Sequence, residues 1–351
     1  MLKIKKPQLT LLEKLTNTVA VSGDEGAIRK IVRAEVENLA DEIKTDTMGN
    51  LLVTKRGKGR NRLKVMLAAH MDEIGFMLVN EEGSGLFQFE TIGGIDPHQL
   101  AGKQVLVGRE NVPGVIGAAP IHLVGAGQQN STIQVGALRI DVGPGKPNVK
   151  VGDRATFATK FLRIGESVRA KALDDRLGVA ILIELLKNAP TNIDLLAAFT
   201  VQEELGLRGA KIAAHALDPD LALAIDSTPA YDLPMHDDSE NIRYNTKLGE
   251  GPAIYTVDGR TLSDPRIVRW LSKTGDAKKI PYQYRQPGSG GTDAGSIHLS
   301  RAGIPSGSVS VPGRYAHTAM GLCRISDWEN TLNLLHAALN DLSPKILKEI
   351  R

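Results

Sequence analysis

Three short, almost wholly apolar runs constrain this chain more than any other feature, because each brings a polar, chemistry-bearing residue to its end. LKVMLAAH at 63–70 ends in His70, IDLLAAFT at 193–200 leads straight into Glu203 and Glu204, and LALAIDST at 221–228 carries Asp226. Short apolar runs bounded by turn signals read as buried strands. From 170 onward the pattern alternates, with helices expected over 175–188, 206–216, 263–274, 292–301 and 326–341 and strands over 193–201, 221–226 and 306–311. Such alternation builds an α/β sandwich.

The amino-terminal part adds to the same layer. Leu11, Leu12, Leu15 and Val19, then Ile28, Ile31, Val32 and Val36, recur at helical spacing on either side of Ser22-Gly23-Asp24. A hairpin pattern follows, with Met48-Gly49-Asn50 as its turn. Between 74 and 165 the texture changes to short β-like runs (GFMLVN, LFQFETI, KQVLVG, LRIDVG) separated by Gly and Pro. The expected architecture is therefore an α/β domain of residues 1–73 and 166–351, into which residues 74–165 are inserted as a small all-β module.

Composition excludes several classes of function. With 42% hydrophobic and 24% charged residues over 351 positions, the chain belongs with folded proteins and not with disordered ones. The strongest apolar run, GVAILIELL at 178–186, is interrupted by Glu184 and falls short of the roughly 18 residues a membrane span needs. The opening MLKIKKPQLTLLEKL is too polar for a secretory signal, and the single cysteine, Cys323, fits a reducing compartment; both point to the cytoplasm. A net charge of +3 without a basic block, and only 6 Phe, 6 Tyr and 2 Trp, offer nucleic acid neither an electrostatic track nor a stacking platform.

Five segments carry candidate chemistry. In AHMDEIGF at 69–76, His70 and Asp72 are two apart and share a face, the arrangement of a metal-binding imidazole with a carboxylate that fixes its tautomer. KALDDRLG at 171–178 places two adjacent carboxylates before a helix, where capping accounts for one of them. In VQEELGLRGA at 201–210, Glu203 and Glu204 sit where ligands gather in α/β sheets, and one could hold a metal while the other moves a proton. Asp226 ends its strand at the same edge, and RYAHTAMG at 314–321 brings His317 there from a loop. Each pattern alone has an ordinary explanation; their convergence on one edge does not. Two imidazoles and several carboxylates suit Zn²⁺, Co²⁺ or Mn²⁺, and two ions neutralise that many acids better than one. VGAGQQN at 124–130 lacks the third glycine of a dinucleotide fingerprint, and PGSGGTD at 287–293 is no nucleophile elbow. His98, His122, His215, His236, His298 and His336 receive no functional role.

These motifs, with GGTDAGSIHLSRAGIP at 290–305, resemble metallopeptidase family 42 over essentially the whole chain. The resemblance implies a mixed-sheet α/β/α di-metal aminopeptidase domain with an inserted barrel-like domain that serves oligomerisation and gating. It implies two divalent ions, Zn²⁺ or Co²⁺, with Asp174 bridging, His70 and Asp226 completing one and Glu204 and His317 the other. Glu203 is then the general base and Asp72 the support of His70. Short peptides are the implied substrates, and dimers assembling into a tetrahedral dodecamer the implied state. The rival reading, a cellulase-type glycoside hydrolase using paired carboxylates, needs no metal and leaves His70, Asp226 and His317 unexplained. Arg243, Arg260 and Arg285 are candidates to attract an acidic substrate side chain, though a loop arginine is more often a surface charge.

Overall fold

The computed structural model describes residues 1–120, 122, 133–145, 148–233, 246–285 and 287–351. Two helices, α1 (Lys6–Asn17) and α2 (Gly26–Val36), precede the hairpin β1 (Glu42–Thr45) and β2 (Leu51–Lys55) and the strand β3 (Leu63–His70). Then come β4 (Gly75–Gly83), β5 (Leu86–Ile92), β6 (Gln104–Val107), β7 (Val112–Gly117), β8 (Arg139–Asp141) and β9 (Arg154–Phe157), which close into an antiparallel barrel in the order β4-β5-β8-β7-β6-β9. The chain returns through β10 (Leu162–Ile164) and β11 (Ser167–Ala170) and continues with α3 (Leu173–Lys187), β12 (Ile193–Thr200), α4 (Arg208–Leu217) and β13 (Leu221–Pro229). Beyond these lie β14 (Ala253–Tyr255), α5 (Pro265–Lys278), β15 (Gln283–Arg285), α6 (Ala294–Ile297), β16 (Ser306–Arg314), β17 (Gly321–Arg324) and α7 (Ile325–Asp341).

The large sheet runs β1-β2-β12-β3-β13-β16-β17-β11-β10, with β14 on β16 and β15 on β14. Its centre is parallel: β12, β3, β13 and β16 all point the same way. A parallel centre must be covered on both faces, which is why its strands read as continuous apolar runs. Alternate residues confirm the two layers. Val65, Leu67 and Ala69 of β3 join Leu195, Ala197 and Phe199 of β12 in a core beneath α1, α2, α3, α5 and α7, whereas Met66, Ala68, Leu196 and Ala198 pack beneath α4 and α6. His70, Thr200 and Asp226 fall in the second set by the same alternation, and Thr200 pairs directly with His70. The chemistry therefore leaves the sheet on one face and at one edge.

Two expectations shift. The barrel ends at Phe157, and β10, which lies inside the segment expected to be all-β insertion, joins the large sheet through β11. The helix expected over 292–301 shrinks to the single turn of α6, and the chain after it runs through turns in which Arg301 takes φ +53° and Gly303 φ +98°. The short strands β11, β14, β15 and β17 had no periodic signal long enough to register.

The barrel has its own core, separate from the sheet, built around Phe76, whose ring meets Phe89 at 5.1 Å and Phe157 at 5.3 Å, both edge to face. Phe76→Ala is expected to destabilise the barrel by about 3–5 kcal/mol. Urea unfolding followed by hydrogen exchange checks this, and protection lost in the barrel amides but kept in β3 and β12 is the expected pattern.

Candidate metal centre

The carboxyl ends of β3, β12, β13 and β16 frame a cavity of about 390 Å³ lined by His70, Asp174, Glu203, Glu204, Asp226 and His317 among others. Local backbone chemistry delivers each. Ala172, just before α3, adopts φ +52°, and Asp174 and Asp175 in its first turn are non-helical. Asp175 then accepts the Gly178 N–H at 3.0 Å, the capping role open to one acid of the pair, and a Cβ at Gly178 would lie 2.4 Å from its carboxylate. Asp174 is left facing the cavity. Before Glu203, Gln202 takes φ +53°, and Tyr315 and His317 take φ +63° and +57° after β16. Left-handed non-glycine residues in three turns around one cavity are the strain expected where a site dictates the backbone.

The donor atoms form two groups that share Asp174. Nε2 of His70 lies 3.1 Å from Asp174 Oδ1 and 3.9 Å from Asp226 Oδ1; Nε2 of His317 lies 3.6 Å from Asp174 Oδ2 and 3.5 Å from Glu204 Oε2. Within each triad the candidate ligand atoms all fall within 4.8 Å of one another. Four donors about 2.05 Å from a tetrahedral zinc ion stand roughly 3.3 Å apart, so these separations are close to the edges of such a polyhedron. A third grouping, His70 with Glu203 and Glu204, also satisfies that limit. The first two between them use every candidate ligand and leave Glu203 over.

Supporting contacts aim the imidazoles. The Nδ1–H of His317 donates to the Gly94 carbonyl at 2.8 Å, which turns Nε2 toward Asp174 and Glu204. Gly94 follows β5, so a barrel loop orients a sheet-edge ligand. His70 Nδ1 sits 3.2 Å from the Asp72 carbonyl oxygen and 3.6 Å from its carboxylate. That carboxylate is engaged elsewhere as well: it accepts from Ser22 Oγ at 2.6 Å and from the backbone N–H groups of Glu203 at 3.0 Å and Glu204 at 3.3 Å. Asp72 thus holds the glutamate pair in addition to meeting His70.

Crowding shows in the acidities. Burial, with Asp174 and Asp175 close by, pushes Asp226 well above the usual carboxylate range. Burial likewise raises Glu203 strongly and Glu204 to about 7, despite the neighbouring imidazoles. Asp174 is half-buried, which pushes its pKa up, yet its contacts with His70 and His317 hold it at about 2. A donor set in which one carboxylate is ionised by two imidazoles while its neighbours resist ionisation is one that divalent cations would complete.

Several site features lay outside the sequence reading. Asp293, in the GGTDAG segment, is buried at the start of α6 but does not cap it; Oδ2 accepts from Thr200 Oγ1 at 2.5 Å, Oδ1 has no hydrogen-bond partner, and burial raises its pKa to about 6. An aspartate before a helix suggests capping, so nothing in the string marked it. Glu73 anchors a buried cluster behind the metal ligands, bonding Lys171 Nζ through both oxygens at 2.8 Å, the Ala20 N–H at 2.9 Å and Thr156 Oγ1 at 2.9 Å. Arg260 and Arg285 line the cavity, whereas Arg243 and His236 lie outside the described residues. None of His98, His122, His215, His298 and His336 lines it. The carboxylate pairs within these groups, Asp174 with Asp226, Asp174 with Glu204 and Glu203 with Glu204, come within 4.8 Å, closer than the roughly 5–9.5 Å a glycosidase pair needs.

Comparison with known proteins gives a consistent result. The profile of the M42 glutamyl aminopeptidase family matches residues 49–334. A glutamyl aminopeptidase of Lactococcus lactis is 32% identical over 97% of this chain and 98% of its own length. A lysyl aminopeptidase of Pyrococcus furiosus is 31% identical over 95% of this chain and 97% of its own. The solved TET1 peptidase of Pyrococcus horikoshii, described as able to assemble into a tetrahedron or a large octahedral shell, superposes with a TM-score of 0.83 at 33% identity, covering 95% of this chain and all of that one.

Asp72→Asn replaces an acceptor of three N–H or O–H groups with one that also presents donors to them. Metal affinity is expected to fall about 10- to 100-fold, read from the metal concentration needed to raise the thermal midpoint to its plateau.

Proposed function

The chain belongs to the M42 glutamyl aminopeptidase family, and on that premise we propose that it removes amino-terminal residues from short peptides at a dinuclear metal centre made by His70, Asp174, Glu204, Asp226 and His317. The observation that carries this reading is the pair of donor triads sharing Asp174. His70 and Asp226 would hold one ion and Glu204 and His317 the other, with one oxygen of Asp174 near each imidazole. The nitrogen and oxygen donors favour Zn²⁺ or Co²⁺. Two such ions, when bound, lower the pKa of water and polarise a peptide carbonyl.

The protein's own contribution to the reaction is positioning and proton movement. Glu203 is the cavity carboxylate left over by the two triads, and its backbone N–H is pinned to Asp72. Its burial raises its affinity for a proton, which suits a group that must first take one from water and then deliver it to the departing amine. Asp72 fixes the glutamate pair and faces His70, and Gly94 sets the tautomer of His317.

The remaining parts of the reading concern assembly and place. The barrel segment within 74–165 governs subunit contacts and access, supported by its loop at His317 and by the shells of the P. horikoshii relative. A homododecamer is the assembly proposed, and sedimentation velocity reads it directly. No described helix is long and apolar enough to cross a membrane, and Cys323 is a buried free thiol, which supports a reducing, cytoplasmic setting.

Chelation followed by Zn²⁺ or Co²⁺ return is expected to abolish and restore cleavage of leucyl, glutamyl, lysyl and alanyl p-nitroanilides, while acetylated forms stay intact. Metal-independent cleavage, or equal cleavage of blocked substrates, sinks the reading. Glu203→Gln should retain both ions by elemental analysis yet lose about 10²–10⁴-fold in kcat, whereas Asp174→Asn should lose metal. Two filled sites in the Asp174 variant would move the bridge elsewhere.

A further inference from the structure

We propose that the groove leading from the metal centre past Tyr315 and Met320 binds the residues that follow the scissile bond, so that this chain selects peptides with apolar or aromatic side chains at their second and third positions. The inference deepens the aminopeptidase reading and rests on it.

The groove is continuous with the cavity that holds the candidate metal ligands. It encloses about 580 Å³ and shares Pro229 and Ala316 with that cavity. Its walls are the end of β13, the loop between β16 and β17 that carries His317, and Gln99 of the barrel segment. Tyr231, Leu233, Tyr315 and Met320 line it, at 43%, 41%, 48% and 38% exposed. Large apolar side chains scattered singly over a surface need no explanation, but four around one groove beside a reaction centre mark a surface that receives something.

The turn that places His317 also fixes this surface. Tyr315 takes φ +63°, and Thr318 Oγ1 lies 2.8 Å from the carbonyl oxygens of both Tyr315 and Met320 and accepts the Met320 N–H at 3.2 Å. The apolar floor is thereby formed in advance, and a peptide does not have to order it. Charge is absent from it in effect: Arg314 is the only charged residue among its described lining residues, and Arg314 Nε donates to Asp232 Oδ1 at 2.7 Å. A downstream glutamate or lysine would give up water there for no unpaired partner, whereas leucine or phenylalanine would bury apolar surface.

The two ends of the cavity decide which part of a peptide lies in the groove. An amino-terminal residue ends the chain and can occupy a closed recess, but the residues after the scissile bond need an open way out. At the recess end Tyr255 and Arg285 are only 4% and 8% exposed. The rim at Arg260, Ser289 and Gly290 is open but presents no exposed apolar side chain among the described lining residues. The groove is the way out that offers an apolar surface. Tyr315 and Met320 stand two and three residues from His317, so a chain advancing about 3.3 Å per residue from the metals meets them with its second and third side chains.

The test uses the metal-loaded enzyme and follows release of leucine from Leu-Gly-Gly, Leu-Phe-Gly, Leu-Gly-Phe, Leu-Glu-Gly and Leu-Lys-Gly in wild type, Met320→Ser, Leu233→Ser and Met320→Leu, with sedimentation velocity and elemental analysis of each protein. Wild type is expected to favour the two phenylalanyl peptides over Leu-Gly-Gly by about 5- to 30-fold in kcat/KM, chiefly through KM, and to gain nothing from Glu or Lys. Each serine variant, at an exposed position that folding tolerates, should lose most of that advantage while Leu-Gly-Gly cleavage and metal content stay unchanged; Met320→Leu should keep it. Equal cleavage of the phenylalanyl and glycyl peptides overturns the proposal, as does an equal gain from Glu or Lys, or an advantage that both serine variants retain. A serine variant that changes sedimentation and leaves selectivity alone overturns it too, and gives the groove to a second copy of the chain. Absence of leucine release from every unblocked peptide counts against the peptidase reading alone; the groove is then decided by calorimetry, where Leu-Phe-Phe must bind more tightly than Leu-Gly-Gly and lose that advantage in the serine variants, and equal binding overturns it.

Discussion

Like charges that would otherwise fly apart are gathered at one sheet edge, and the rest of the structure is arranged around that cost. Asp174, Glu203, Glu204 and Asp226 face a single cavity, and burial, with the neighbouring acids adding to it, raises the pKa of three of them. The fold meets part of the cost with its own groups: two imidazoles against Asp174, and two backbone N–H groups directed at Asp72 so that the glutamate pair cannot swing away. What is left unneutralised is negative charge that divalent cations would offset.

A second buried charge ties separate segments of the fold together. Glu73 follows Asp72 directly, and Lys171 stands three residues before Asp174, so their ion pair links the two segments that carry the candidate ligands His70 and Asp174. The same carboxylate reaches Thr156 in β9 of the barrel and the Ala20 N–H between α1 and α2, while Arg176 lies 3.6 Å away and donates to the Leu15 carbonyl. Burial lowers Lys171 to about 8, close enough to neutral pH that the partner carboxylate matters to its charge. Because Gly94 of the barrel meets His317 across the site, the orientation of the barrel bears on how this candidate ligand is aimed, and the Glu73 cluster joins the barrel to the segments beside it.

Much of this was legible in the string of residues because the physics is local or periodic. The apolar runs ending at His70 and Asp226 and preceding Glu203 named the strands, and parallel strands necessarily collect their ends at one edge. The Asp174-Asp175 pair showed that one acid would cap a helix, and Asp175 does. Asp293 escaped because an aspartate before a helix looks like a cap. Glu73, Lys171 and Thr156 escaped because they are 98 and 83 residues apart in pairs that no window can span. Strand β10 was read with the barrel because three exposed residues carry no period that distinguishes one sheet from another.

Sequence alone determined which elements form, which residues stand at their ends, and that two imidazoles and several carboxylates belong to one chemistry, since hydrophobic period and turn chemistry act over a few residues. Tertiary structure decided how those residues divide. Only the parallel register and the alternation of faces set His70, Thr200 and Asp226 on one side, only the turn geometry separated the cap Asp175 from the shared Asp174, and only the meeting of β14, β15 and β13 brought Arg285 beside the site. Distances between residues far apart in the chain are fixed by packing, and packing is a property of the folded whole.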